Sequence, residues 1–277
     1  MERFLQVLEF ALDLLIALSI ASCGVSPMGR RQLLLLPDSR VDQQGAQLYL
    51  QYKQEVPRST SAMHQKYVAC VAGAIVREAR EGNVPQSWEV NVFEDDSPNA
   101  FAVPGGKIGV NSGLLDVAKN QDQLAAVLGH EVSHVLARHS NERASADAAT
   151  NLALQGVAAS GVVGDPATSQ SARALFGAFG LGARYGLILP YGRSHESEAD
   201  LMGLDLMAQA SFDPRQAVEF WRNMDAAAAK SGGDAPPEFL STHPGSTTRK
   251  NDLSARLPHA MQLFEAARAQ GKKPNCG

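Results

Sequence analysis

No apolar run in this 277-residue chain reaches the roughly 20 residues needed to cross a bilayer, so it does not read as a membrane channel. Positive charge is not in excess. Lys and Arg number 25 against 29 Asp and Glu, the net charge is -4, and no basic stripe appears, so nothing points to nucleic acid as a partner. Cysteine is scarce: three residues, at 23, 70 and 276, allow at most one internal bridge. No internal repeat is detectable. What is present, 44% hydrophobic residues in a chain of this length, fits one sizeable globular domain with a full core.

Chemistry enters at His130-Glu131-Val132-Ser133-His134. Leu124, Ala125, Val127 and Leu128 before it, and Val135 and Leu136 after it, recur at three- and four-residue steps, which predicts a half-buried helix. Asn120 or Asp122 can cap its start. Two imidazoles four positions apart project from one helix face, close enough to hold one metal ion, and Glu131 between them can handle the proton of a water activated there. Gly129, directly before His130, weakens the helix by about 1 kcal/mol relative to alanine, but it lets another backbone or a substrate approach. Arg138 and His139 read as the solvated helix end, favourable near its negative pole. His139, five residues past His134, falls off the ligand face of a continuous helix.

A catalytic zinc keeps three protein ligands and one open position. Candidates for the third are His195, Glu196, Glu198, Asp200 and His243. Leu201, Leu204, Met207 and Ala208 mark a second helix, with Ser194 as the expected cap. Glu196 and Asp200 share one face of it, which suits a ligand and a carboxylate that fixes a histidine through its other nitrogen; Glu198 points elsewhere, toward solvent. Spacing favours Glu196 over His195.

Taken together, HEVSH and Glu196-Ser197-Glu198-Ala199-Asp200 resemble the zinc metallopeptidase family of the CAAX prenyl proteases and HtpX, whose second motif is Glu-x-x-Ala-Asp on a later helix. The likeness is greatest to its soluble periplasmic lipoprotein branch (LoiP- and BepA-like) and to the Oma-type peptidase domain. Residues 99–108, Gly113-Leu114-Leu115, and Ser241-Thr242-His243-Pro244 with Arg249 resemble further family segments, so the resemblance covers roughly residues 65–257. It implies a zincin-like (gluzincin) α+β fold, mainly helical, with one Zn2+ per chain. His130, His134 and Glu196 would hold the metal, Glu131 would be the general base, and Asp200 would brace a ligand. His243 is implied near the metal, either donating to the oxyanion or occupying the open position at rest, and Arg249 is implied to do similar work or to orient a carboxylate.

Short strand-like runs at 90–93, 101–103 and 108–110, with a Pro104-Gly105-Gly106 turn, predict a small antiparallel sheet beside the metal helix. An exposed edge there can pair with an extended substrate through Asn99, Ala100, Phe101 and Ala102; a plain structural hairpin accounts for the same residues. Helices are predicted over residues 44–54, 66–81, 214–230 and 258–270, the last with Pro258 in its first turn. The Ala- and Gly-rich stretch 146–189 reads as helices with a loop that covers the cleft, 231–237 as an exposed connector and 272–277 as a tail.

Residues 14–20 followed by Ala21-Ser22-Cys23 resemble a bacterial lipoprotein signal with Cys23 as the lipidated residue, although Glu9 and Asp13 stand where a basic leader is expected. Gly24 favours outer-membrane sorting. In that oxidising compartment Cys70 and Cys276 can form a disulfide. The expected organisation is a signal over 1–23, an N-terminal segment with one helix over 24–64, the peptidase domain over 65–260, and a helix end and tail over 261–277. The expected function is a periplasmic, lipid-anchored endopeptidase that acts on misfolded or unassembled envelope polypeptides. The alternative is a chaperone or assembly factor for outer-membrane proteins, linked to their assembly machinery, with a latent peptidase site.

Overall fold

The computed structural model describes residues 23–159, 192–230, 238–243 and 247–277. The expected signal segment up to residue 22, the Cys23 side chain, residues 160–189 of the Ala- and Gly-rich stretch, the connector 231–237 and Pro244 lie outside the described residues.

The described residues open on a two-stranded hairpin, β1 (Cys23–Val25) and β2 (Arg31–Leu33). Helices α1 (Asp38–Glu55) and α2 (Ala62–Glu78) follow, then β3 (Glu89–Phe93), β4 (Ala100–Val103), β5 (Lys107–Asn111) and the short α3 (Ser112–Val117). The metal-motif helix α4 (Gln121–Leu136) leads into α5 (His139–Ala159). The remainder comprises α6 (Arg193–Gln209), α7 (Arg215–Lys230), α8 (Glu238–Thr242) and α9 (Thr247–Ala269). The architecture is mainly helical α+β, as expected. Among the described residues no helix is long and apolar enough to cross a membrane.

The three-stranded sheet has the order β3-β5-β4, with β3 parallel to β5 and β4 antiparallel to it. It is therefore mixed rather than wholly antiparallel. The Gly105 and Gly106 turn, both glycines at positive φ (81° and 75°), folds β4 back on β5, whereas β3 reaches β5 only by a crossover. Tyr49 and Tyr52 of α1 pack edge-on against Phe93 and Phe101 on one face of the sheet. On the other, Val92, Ile108 and Val110 join Val68, Val71 and Ile75 of α2 and Leu124 and Leu128 of α4 in the main core. Each such side chain contributes about 1.5–3 kcal/mol by leaving water. Helix α4 is buried along nearly its whole length, so its metal-binding face is held by packing on every side.

Several boundaries differ from the sequence-based expectations. Helix α2 starts at Ala62 because Ser61 accepts a hydrogen bond from His64 N–H at 3.2 Å. Helix α6 starts at Arg193 behind Gly192, so Ser194 is not its cap. Pro258 lies inside α9 rather than at a helix start; packing of α9 against α6 carries the helix through the one backbone bond that proline forfeits.

The C-terminal tail is tied down. Cys70 of α2 is bonded to Cys276. Gln121, the first residue of α4, donates to Pro274 O (3.1 Å) and accepts from Cys276 N–H (2.9 Å). Lys272 pairs with Glu78 at 2.7 Å. Replacing both cysteines by serine is expected to cost about 2–4 kcal/mol and to lower the melting temperature by roughly 5–15 °C. Calorimetry of the two proteins checks this, and identical melting curves would exclude it.

Candidate metal centre

The metal helix and its partner can cross closely because each has a glycine at the contact. A Cβ on Gly129 would lie 2.7 Å from Gly203 O, and one on Gly203 would lie 2.6 Å from His130 N. Backbone thus meets backbone between α4 and α6, which answers why glycine precedes His130 and brings the two motifs together. Asn120, not Asp122, caps α4, accepting from Gln123 N–H at 2.9 Å.

His130, His134, Glu196 and His243 converge, all buried, with their ligand atoms within 4.8 Å of one another. His130 Nε2 is 3.0 Å from His134 Nε2, and each is 3.5 Å from a Glu196 carboxylate oxygen. A tetrahedron with metal–ligand bonds of about 2.0–2.1 Å has edges of about 3.3 Å, so this triangle fits a zinc-sized ion with two imidazole nitrogens and a carboxylate oxygen. His243 Nδ1 stands 3.2 Å from His130 Nε2 and 3.1 Å from both Glu196 oxygens, so it crowds the same cluster. The Nε2 of the same ring is 3.3 Å from Glu131 Oε1. One imidazole therefore bridges the His130–Glu196 cluster and Glu131.

Glu131 is 2% exposed, and burial raises its pKa, the first requirement of a proton acceptor that must work near neutrality. Its Oε2 accepts the main-chain N–H of Ala102 at 3.3 Å, so β4 runs past the base. Strand β4 is one of the sheet's two outer strands. Asn111 N–H donates to Asn99 O, so alternation along the ladder turns Asn99, Phe101 and Val103 toward β5 and aims the main-chain groups of Ala100 and Ala102 off the edge. The Phe101 ring packs on Tyr52 at 4.8 Å, away from the metal side.

Two arms brace His130 and His134. In the first, His130 Nδ1 lies 3.0 Å from Asp200 Oδ1, and Arg249 donates to Asp200 (2.6 and 2.7 Å) while its Nη1 sits 2.9 Å from Glu196 Oε2. The guanidinium stacks 4.6 Å over the Trp221 ring. Arg249 thus clamps the two carboxylates from behind. Burial opposes a charge on His130, but hydrogen bonds to Asp200 and Glu196 outweigh it and push its pKa up to about 9. Against the same burial penalty, hydrogen bonds from His130 and His243 hold Glu196 below the usual carboxylate range, so it stays anionic.

In the second arm, His134 Nδ1 is 2.8 Å from His139 Nδ1, and His139 Nε2 is 3.0 Å from Glu198 Oε2. Burial pushes His139 down to about 4, which keeps it neutral. Glu198, despite burial, is held down to about 2 by its hydrogen bonds to His139, Ser26 and Arg30. Both residues correct the sequence reading, which placed them in solvent: His139 is 0% and Glu198 5% exposed. Helix α4 ends at Leu136, Arg138 takes the left-handed conformation (φ 56°), and α5 starts at His139, so the chain turns that ring back under His134. Glu198 is covered by Ser26 and Arg30 of the hairpin, a segment far off in sequence. His195 is not among the ligands; it pairs with Glu142 at 3.1 Å and stacks on His139 at 4.4 Å.

Residues 62–257 match the sequence model of peptidase family M48. The chain is 40% identical over 201 residues to the mitochondrial metalloendopeptidase OMA1 of Schizosaccharomyces pombe, which covers 73% of this chain and 55% of that protein. It is 38% identical over 182 residues to the Saccharomyces cerevisiae OMA1, covering 64% of this chain and 49% of that one. To the beta-barrel assembly-enhancing protease of Escherichia coli K12 it is 30% identical over 236 residues, 82% of this chain and 47% of that protein. The chain spans about half the length of these relatives.

Proposed function

The chain belongs to peptidase family M48, and from that premise we propose that it is a zinc-dependent endopeptidase held in a resting state by His243. The observation that carries this reading is the His130, His134, Glu196 triangle with Glu131 beside it and the β4 edge alongside. Zinc held by that triangle supplies Lewis acidity toward a peptide carbonyl and toward water. Glu131 takes the proton from the attacking water and returns it to the leaving amine, so no side-chain nucleophile is needed. The edge is buried rather than exposed as expected (Ala100 1%, Ala102 6%), and the Ala102 N–H is taken by Glu131, so an extended substrate pairs there only once the edge is uncovered, through the main chain of Ala100 and the Ala102 carbonyl, with Asn99 at the end of that edge. Arg249 and Asp200 hold the ligands rather than meeting the substrate.

His243 decides the second part of the reading. With Nδ1 crowding the ligand cluster and Nε2 toward the base, it must withdraw before water and substrate enter. His243→Ala is therefore expected to raise cleavage of an unfolded protein such as casein by roughly threefold or more, with activity lost in both proteins on chelation. If His243 instead donates to the oxyanion, the same substitution lowers the rate by about 10²-fold. The sign of the change separates the two roles, and casein cleavage that is indifferent to chelator would rule out a metallopeptidase.

Likeness to the beta-barrel assembly-enhancing protease supports polypeptides of outer-membrane barrel assembly as substrates. The lipoprotein-like run ending at Cys23 is what supports a periplasmic setting with a lipid anchor to the outer membrane. A role as assembly factor with a latent site is supported by the position of His243. Glu131→Gln would preserve that binding role and remove proteolysis.

A further inference from the structure

Two imidazole nitrogens 2.8 Å apart share one proton: one ring donates and the other accepts. His134 turns Nε2 into the ligand cluster, so on the reading that it binds the metal its proton resides on Nδ1. That proton is donated to His139 Nδ1. His139 then carries its own proton on Nε2 and donates it to Glu198 Oε2, 3.0 Å away. Glu198 is fixed from the other side by Arg30 Nε at 2.9 Å and by the Ser26 hydroxyl, both from the hairpin that opens the described chain. Arg30 in turn grips Glu142 through two nitrogens at 2.6 Å each. The direction of the line is set by the carboxylate at its far end.

We propose that His139 is a positioning residue for the metal centre, fixing the tautomer and orientation of His134, and that the β1–β2 hairpin belongs to the site because Ser26 and Arg30 hold the carboxylate that orients His139. The proposal rests on His134 being a ligand, and it gives His134 a brace equivalent to the one Asp200 gives His130.

Zinc affinity of the purified full chain, measured by competition with a chromophoric chelator, tests it. The oxygen of an asparagine amide lies two bonds from Cβ, as Nδ1 of histidine does; that of glutamine lies three bonds out, as Nε2 does. His139→Asn keeps an acceptor for His134 and is expected to stay within about threefold of the unsubstituted affinity, while His139→Gln loses about 10–100-fold. A merely structural role lowers the melting temperature of both variants and leaves their affinities alike, and like affinities overturn the proposal. Should His139→Gln fail to fold, Glu198→Leu, which removes the acceptor for His139 Nε2–H, replaces it: a drop of about tenfold is expected, and an unchanged affinity overturns the proposal. His134→Ala separates the two levels of the argument. If it keeps its zinc, the ligand assignment itself has failed; if it loses zinc while His139→Gln does not, only the positioning role has.

Discussion

Glu131→Gln will retain zinc at the unsubstituted level and cleave casein about 10²–10⁴-fold more slowly. The amide fills the same volume and still presents an oxygen to Ala102 N–H, so the β4 edge keeps its place. What it cannot do is take a proton. Metal content should not change, because Glu131 stands beside the ligand triangle without belonging to it. Stability should move the other way from activity. Glu131 is buried and its carboxylate is disfavoured there, so a neutral side chain leaves the protein as stable or more so. The comparison is best made with and without His243→Ala, so that a low resting rate does not hide the loss. Cleavage at the unsubstituted rate in either background would remove Glu131 from the mechanism.

The second large effect falls on the metal. Glu196→Ala removes the only carboxylate of the triangle and leaves imidazoles alone to hold the ion. Zinc affinity is expected to fall at least about 100-fold, a change of about 2.7 kcal/mol, and hydrolysis should disappear at stoichiometric zinc. The fold should survive, because Arg249 keeps its Nε and Nη2 bonds to Asp200 when Nη1 loses Glu196. Elemental analysis after gel filtration, with circular dichroism on the same sample, reads both. Full zinc occupancy in a folded Glu196→Ala protein would mean that another residue is the third ligand.

The parts of this site that could be read in the sequence are those built by local rules. Two histidines and a glutamate in five residues, on an apolar 3.6-residue period with an Asn120 cap, specify a helix face and its chemistry without help from the rest of the chain. Glu196 and Asp200 follow the same rule on α6. The second arm obeys no such rule. Seeing His139 under His134 requires knowing that α4 breaks at Ala137 and Arg138, and no proline or glycine marks that break. Seeing Glu198 as buried requires knowing that Arg30, more than 160 residues earlier, covers it. The parallel partner of β5 was hidden for the same reason: strand-like runs announce strands, whereas the crossover that places β3 beside β5 is a property of the whole core.

The bond between Cys70 and Cys276 closes a ring of chain that contains α4, α6 and the three-stranded sheet. On the proposed reading, an enzyme that cuts unfolded polypeptide is exposed to its own neighbours whenever a loop loosens, and a single nick inside that ring cannot release a fragment. Self-digested molecules would run as one species on a gel without reductant and as two shorter pieces once thiol is added, so damage of this kind stays concealed from size alone until the sulfurs are parted.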